Sequence, residues 1–362
     1  MHVLEQSGLL NRAIEFLPTD KQLAELKAAR KGLTRPEIAV LLAYSKMDLY
    51  QQLLSSSLPD ESYFTADLKR YFPKTMQQDF ESAIVSHPLK REIIATVMTN
   101  SMVNRAGITF AFELMQDMGA SARDAAAAYA IIRDGYGLRA MWNAIEATEL
   151  AVDAATQAEM HASIHRFLSR AAAWLLAHFK RPLDIDHIGS ELLPAIALLK
   201  KQQDAFYSDA TRTLITRISE ALVKKHVPEA LAMQIATLEV MAYSLDIIAL
   251  TKKSKLGVAE AGKLYFELGE ALELTWLQQA ASKIQITTAW DRQALQALIS
   301  SLFDEQRRLA LSVIAAGEIS QWQKKQASAL EHYNQIVHEL RVSDLLDIPK
   351  LMVALKQLST LE

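Results

Sequence analysis

The 362-residue chain has no cysteine. That excludes disulfides, thiolate nucleophiles and thiolate metal sites, and it fits a reducing compartment. Glycine (11) and proline (9) are scarce, at roughly half of average usage, so few backbone positions are set aside for sharp turns. No apolar run approaches the roughly 20 residues that a membrane span requires. The start, MHVLEQSGLL, lacks the basic n-region and apolar core of a signal peptide. There is no excess of positive charge either. The net charge is −3, and the Lys-Lys pairs at 200–201, 224–225, 252–253 and 324–325 are scattered. Neither nucleic acid nor a membrane is therefore expected as a partner, and the expected location is the cytoplasm.

What is present is helix-forming material. Half of the residues are hydrophobic (50%) and 22% are charged, an ordinary globular balance. Apolar residues recur at helical spacing almost throughout. Ile38, Leu41, Leu42, Leu49 and Leu53 draw one stripe. Met160, Ile164, Phe167, Leu168, Ala171, Leu175 and Phe179 draw another, ending before Pro182. Thr34, Pro36 and Glu37 have the spacing of a capping box with proline in the first turn. Ser121 with Asp124 repeats the device. No alternating β-branched run appears; IQITT at 284–288 is the best strand candidate, and it reads equally well as a link between helices. These patterns predict an all-α array of roughly fifteen helices. A chain this long tends to divide its core. The link at 180–187 is the expected boundary between helical subdomains 1–180 and 181–362.

Candidate chemistry is sparse. His161 and His165 lie four apart on one helix, a spacing that two metal ligands can use, but no third ligand is apparent and two histidines beside a core stripe are the simpler reading. Gly135 and Gly137 lack the third glycine and the preceding strand of a dinucleotide fingerprint, so a helix–helix corner is expected there. Asp184 and Asp186 could serve as acid and base, yet Asp186 before an apolar helix start is more simply an N-cap. Trp142, Trp174, Trp276, Trp290 and Trp322 read as packing residues. The stretch at 87–110, HPLKREIIATVMTNSMVNRAGITF, stands apart. It sets Leu89, Ile93, Val97 and Met98 on one stripe, and carries Arg91, Asn100, Asn104 and Arg105 where a surface helix would place Lys and Glu. One reading is a hydrogen-bond network tying this helix to its neighbours, for instance to carbonyls that end another helix. The other is an anion site, or a contact with another domain.

Several segments together carry a resemblance. GLLNRAIEFLPTD (8–20), GLTRPEIAVLLAYSK (32–46), RYFP (70–73), the 87–110 stretch, LRAMWNAIEA (138–147), LYFELGEALELTWL (264–277) and WDRQALQALISSLFDEQRRL (290–309) resemble, in this order, the C-terminal helical region of the large bacterial NAD-specific glutamate dehydrogenases. The likeness is more specific in the first half and loose over 180–255. It implies a piece of a longer polypeptide whose catalytic domain binds NAD and oxidatively deaminates L-glutamate to 2-oxoglutarate and ammonia. No cofactor is expected in this chain, which alone should be inactive. Its implied partners are the catalytic domain of the same polypeptide and the homo-oligomer of the parent, with 8–110 making the domain contacts and leaving apolar surface exposed. A different class of function stays open beside it: a regulatory module that senses an amino acid or other anion through Arg91, Asn104 and Arg105.

Overall fold

A computed structural model describes residues 1–343 and 345–362, with the backbone alone at 282 and 289. It is all-α: 76% of it is helical, with 21 α-helices and no strand among the described residues. The helices outnumber the fifteen expected because several apolar stripes run across bends. The stretch at 229–253, one stripe by periodicity, is two helices, Glu229–Met241 and Ser244–Lys253, bent by 51°. Residues 284–288 form a link and not a strand. No single described helix is long and apolar enough to cross a membrane.

The chain divides into two compact units, Met1–Leu193 and Pro194–Glu362. The division falls inside the helix Ile185–Gln202, at its internal Pro194, and not in the 180–187 link. Proline lacks the amide that would bond to the carbonyl four residues back, so the helical ladder is weakest there.

In the first unit, the helix Ala122–Gly135 is the axis of the core. Ala125 to Ile132 are each 0% exposed, so over these eight residues the helix has no solvent face. Four consecutive alanines let neighbours approach closely from every side. The helices Arg35–Leu54, Phe110–Met118, Leu138–Glu146 and Ala154–His178 all pack on it. Its start is fixed by the Asp124 amide donating to Ser121 Oγ at 3.0 Å. The helix Arg35–Leu54 is opened by Glu37, whose carboxylate accepts from the Thr34 amide at 2.6 Å. A smaller satellite core, Leu4, Leu10 and Leu17, packs on Val40, Leu41 and Tyr44.

In the second unit, the 28-residue helix Ala289–Ala316 packs on Ser244–Lys253, Val258–Ala271 and Ile348–Leu358. On Val258–Ala271, Gly262 and Gly269 lie seven apart on one face, each close against a side chain of another segment. A Cβ on Gly262 would lie 2.6 Å from the Phe206 ring, and one on Gly269 would lie 2.6 Å from Gln306 Nε2. Phe206 is itself buried, stacked on Phe266 at 5.9 Å, so its ring cannot swing aside. Gly262→Ala is therefore expected to destabilise the protein by about 1–3 kcal/mol, although alanine is the better helix former. A urea melt showing the variant more stable than wild type would contradict this packing.

Candidate functional site

The helix Lys90–Ser101 continues into a π-helical turn, Met102–Ala106, that ends at Gly107 with φ 95°. The four polar residues singled out in this stretch do different things. Arg91 reaches back to the C-terminus of the helix Arg35–Leu54. Its Nη2 donates to the Leu54 carbonyl at 2.7 Å and the Ser56 carbonyl at 3.1 Å, while Nη1 pairs with Asp60. A guanidinium there satisfies carbonyls that the helix leaves unpaired and offsets the negative end of its dipole. Arg105, on the π turn, pairs with Glu146 and lies 5.8 Å from the centre of the Trp142 ring. Burial, and then the charge of Arg105, push the half-buried His161 imidazole below its ordinary range. Asn100 and Asn104 are exposed. Among the described residues no hydrogen bond joins them to each other, to Arg91 or to Arg105. Arg91 thus ties this helix to carbonyls that end another, without the two asparagines, and the two arginines work separately, each paired with a carboxylate.

The other candidates resolve simply. Gly135 and Gly137 flank a corner between the helices Ala122–Gly135 and Leu138–Glu146. Asp184, and not Asp186, caps the helix that follows: its Oδ1 accepts from the His187 amide at 3.0 Å. Asp186 instead accepts from Ser62 Oγ at 3.0 Å. His165 faces Phe110 edge-on, and no group of three or more metal-ligating side chains occurs among the described residues. Trp142 and Trp322 are packed in the cores, whereas Trp290 is 79% exposed.

The dominant polar constellation lies elsewhere in the first unit. At its centre is Arg133, 0% exposed, near the end of the alanine-rich helix. Its Nε and Nη2 grip Asp134 side-on at 2.7 and 2.8 Å. Nη2 also donates to Asp67 Oδ2 at 2.8 Å, and Nη1 lies 3.5 Å from Met98 Sδ. Asp67, on the helix Thr65–Tyr71, is only 1% exposed. Its Oδ1 receives Arg139 and an ion pair from Arg70 Nη2 at 3.2 Å. Tyr63 closes the ring by donating to Asp134 Oδ2 at 3.2 Å. Burial alone would push the Asp67 carboxyl up; the charges of Arg133, then Arg139 and Arg70, more than reverse it and hold it below the carboxylate range. Arg133 is likewise disfavoured by burial, but its bonds to Asp134 and the charge of Asp67 keep it firmly protonated. Burial, followed by the charge of Asp134, raises the Tyr63 phenol. A charge taken out of water costs several kcal/mol unless it is paired, so this set fixes the mutual position of the segments that carry it.

A second cluster completes the layer. Arg123 Nε donates to Glu61 Oε1 at 2.9 Å and Nη1 to Asp124 Oδ1 at 2.9 Å, while Asp124 Oδ1 accepts from the Leu183 amide at 2.8 Å. Neither cluster was apparent from sequence. One signal for the first was available: Arg133 and Asp134 directly follow eight apolar residues on a stretch of helix without a polar face, so both had to find buried partners. Asp67 lies 66 residues from Arg133, and nothing local marks it.

The surface carries a second pattern. Among the described residues of the first unit, the exposed large apolar side chains are Val3, Ile14, Phe16, Ile38, Met47, Tyr71, Met76, Phe80, Val85, Leu89 and Leu150; all but Leu150 precede residue 90. Phe16 is the extreme case, 91% exposed with φ 52°, a left-handed conformation that costs an L-residue roughly 1–2 kcal/mol. It borders a shallow open groove with Pro18, Leu26 and Ala29. The helix Asp20–Ala28 behind it buries no residue.

Comparison with known proteins gives a consistent result. Residues 30–360 match the family described as glutamate dehydrogenase, C-terminal. An NAD-specific glutamate dehydrogenase of Pseudomonas aeruginosa is 34% identical over 366 aligned positions, covering 99% of this chain and 23% of the relative. Proteins of the same name from Mycobacterium tuberculosis and Halomonas elongata are 30% and 28% identical, covering 96% and 98% of this chain and 22% of each relative. The chain thus spans less than a quarter of the length of the curated relatives it matches.

Proposed function

We propose, from the premise that this chain belongs to the C-terminal family of the glutamate dehydrogenases, that it is a non-catalytic helical brace of an NAD-dependent enzyme. In this reading it supports the catalytic domain and the homo-oligomer of a longer cytoplasmic polypeptide, which converts L-glutamate, NAD and water to 2-oxoglutarate, ammonia and NADH. The chain holds neither NAD nor substrate itself. The apolar surface before residue 90 is its face towards the catalytic domain.

The observation that carries this reading is the segregation of that surface. Singly exposed apolar residues are normal. Their concentration before residue 90 within the first unit, with a phenyl ring held outward in a strained conformation, supports the reading of a contact region. The buried ion clusters give the face a rigid support, because each ties together segments distant in sequence.

Phe16→Gly tests the reading, since its effects should differ in the two contexts. In the isolated chain the substitution removes a ring that touches little and relieves a left-handed φ, so stability should change by no more than about 1 kcal/mol. In the full-length polypeptide it should lower the melting temperature and slow NADH formation from glutamate and NAD. Wild-type assembly, stability and kinetics in the full-length variant would refute the brace.

A further inference from the structure

The Arg133 cluster is not electrically closed. Three guanidinium groups, Arg70, Arg133 and Arg139, meet two carboxylates, Asp67 and Asp134. Arg133 is fully enclosed and its donors are engaged. The other two are not: the side chains of Arg139 and Arg70 are 33% and 46% exposed. Both converge on the same buried atom, Asp67 Oδ1. Arg139 Nε lies 3.6 Å from Asp134 Oδ1, within ion-pair range but too far for a hydrogen bond, and this buried N–H makes no hydrogen bond among the described residues. A guanidinium carries five N–H donors in a rigid fork, so two part-exposed forks that meet on one carboxylate oxygen have donors to spare, and the cluster holds three guanidinium groups against two carboxylates. Burial, and then the charge of Arg133, depress the Arg139 pKa, as expected of a cation short of counter-charge.

We propose that the open edges of Arg70 and Arg139, held together on Asp67 Oδ1, form a binding site for an oxyanion, a carboxylate or a phosphate. Paired guanidinium forks suit planar or tetrahedral oxyanions because two parallel N–H bonds can be made to each. The site is distinct from Arg91 and Arg105, whose charges are answered by Asp60 and Glu146. The anion is either free in solution or the side chain of an acidic protein segment.

The test is a titration of the 362-residue chain with inorganic phosphate and, separately, with a triglutamate peptide, at ionic strength held constant with sodium chloride. The readouts are the melting temperature and the heat of binding. At least one probe should give a saturable response, and that response should be about tenfold weaker in Arg70→Gln, which removes a charge-assisted donor set. A response to phosphate identifies a free oxyanion as sufficient. A response to the peptide alone identifies a protein carboxylate. Arg139→Lys is the second variant, keeping the charge while removing the fork; it should also weaken binding. No saturable response to either probe, or a response in both variants as strong as in the wild-type chain, overturns the proposal.

Discussion

Asp67→Asn should lower the stability of the chain by about 3–5 kcal/mol, the range found when one partner of a buried ion pair is removed. The substitution keeps the shape of the side chain, deletes its charge and turns one of its two acceptor oxygens, both of which receive guanidinium N–H groups, into a donor. Arg133, wholly buried, and Arg139 are then left with Asp134 as their sole carboxylate partner. The pH dependence should change as well. The folded state holds the Asp67 carboxyl below its ordinary value of 3.8. A carboxyl depressed on folding adds stability that is present above its unfolded pKa and is lost as the pH falls through the folded one. Wild type should therefore lose stability on acidification from about pH 4 downward, and Asp67→Asn should show a flatter acid limb. Urea melts followed by circular dichroism between pH 3 and pH 7 read both effects. A loss below about 1 kcal/mol at pH 7 would mean that the cluster is more hydrated than its burial indicates.

Trp322→Ala is the counterpart in the second unit, with an expected loss of about 3–5 kcal/mol. Trp322 is 1% exposed and is the one buried residue of the seven-residue helix Ile319–Lys325. Its Nε1 donates to the carbonyl of Glu362 at 2.5 Å. A helix of two turns has no stability of its own, so the indole is what holds this one down. Truncation removes the anchor and opens a cavity the size of the bicycle. Trp322→Phe should cost less, since it keeps part of the volume and loses the hydrogen bond. Equal losses for the two variants would assign the stabilisation to the hydrogen bond and not to packing.

The fold class was legible because helical periodicity and capping are local. Thr34 with Glu37 and Ser121 with Asp124 both open helices as their spacing indicates. Bends were less legible: Tyr243 separates two helices without a proline or glycine to mark the break. The polar sites were largely illegible. Asn100 and Asn104 looked internal because their neighbours are apolar, yet both face solvent. Asn104 lies in the π turn at 102–106, where a period of 3.6 no longer predicts faces. Arg91 does tie its helix to the carbonyls that end another, which its sequence neighbourhood left open as one possibility. Asp67 could not be paired with Arg133 by any local rule, since the two lie 66 residues apart on different helices. Trp290 shows the reverse error: a residue type that usually packs is exposed here.

For a gene, that π turn amounts to one codon. It holds one residue more than the α-helical turn it replaces, and each residue turns the helix face by about 100°. Loss of a single codon between 102 and 106 would close the turn without breaking the helix. It would also carry Arg105 away from Glu146 and Trp142, while leaving Arg91 on its carbonyls. Deletion of one residue from this turn is thus expected to change which side chains it presents while the helix Lys90–Ser101 before it stays as it is.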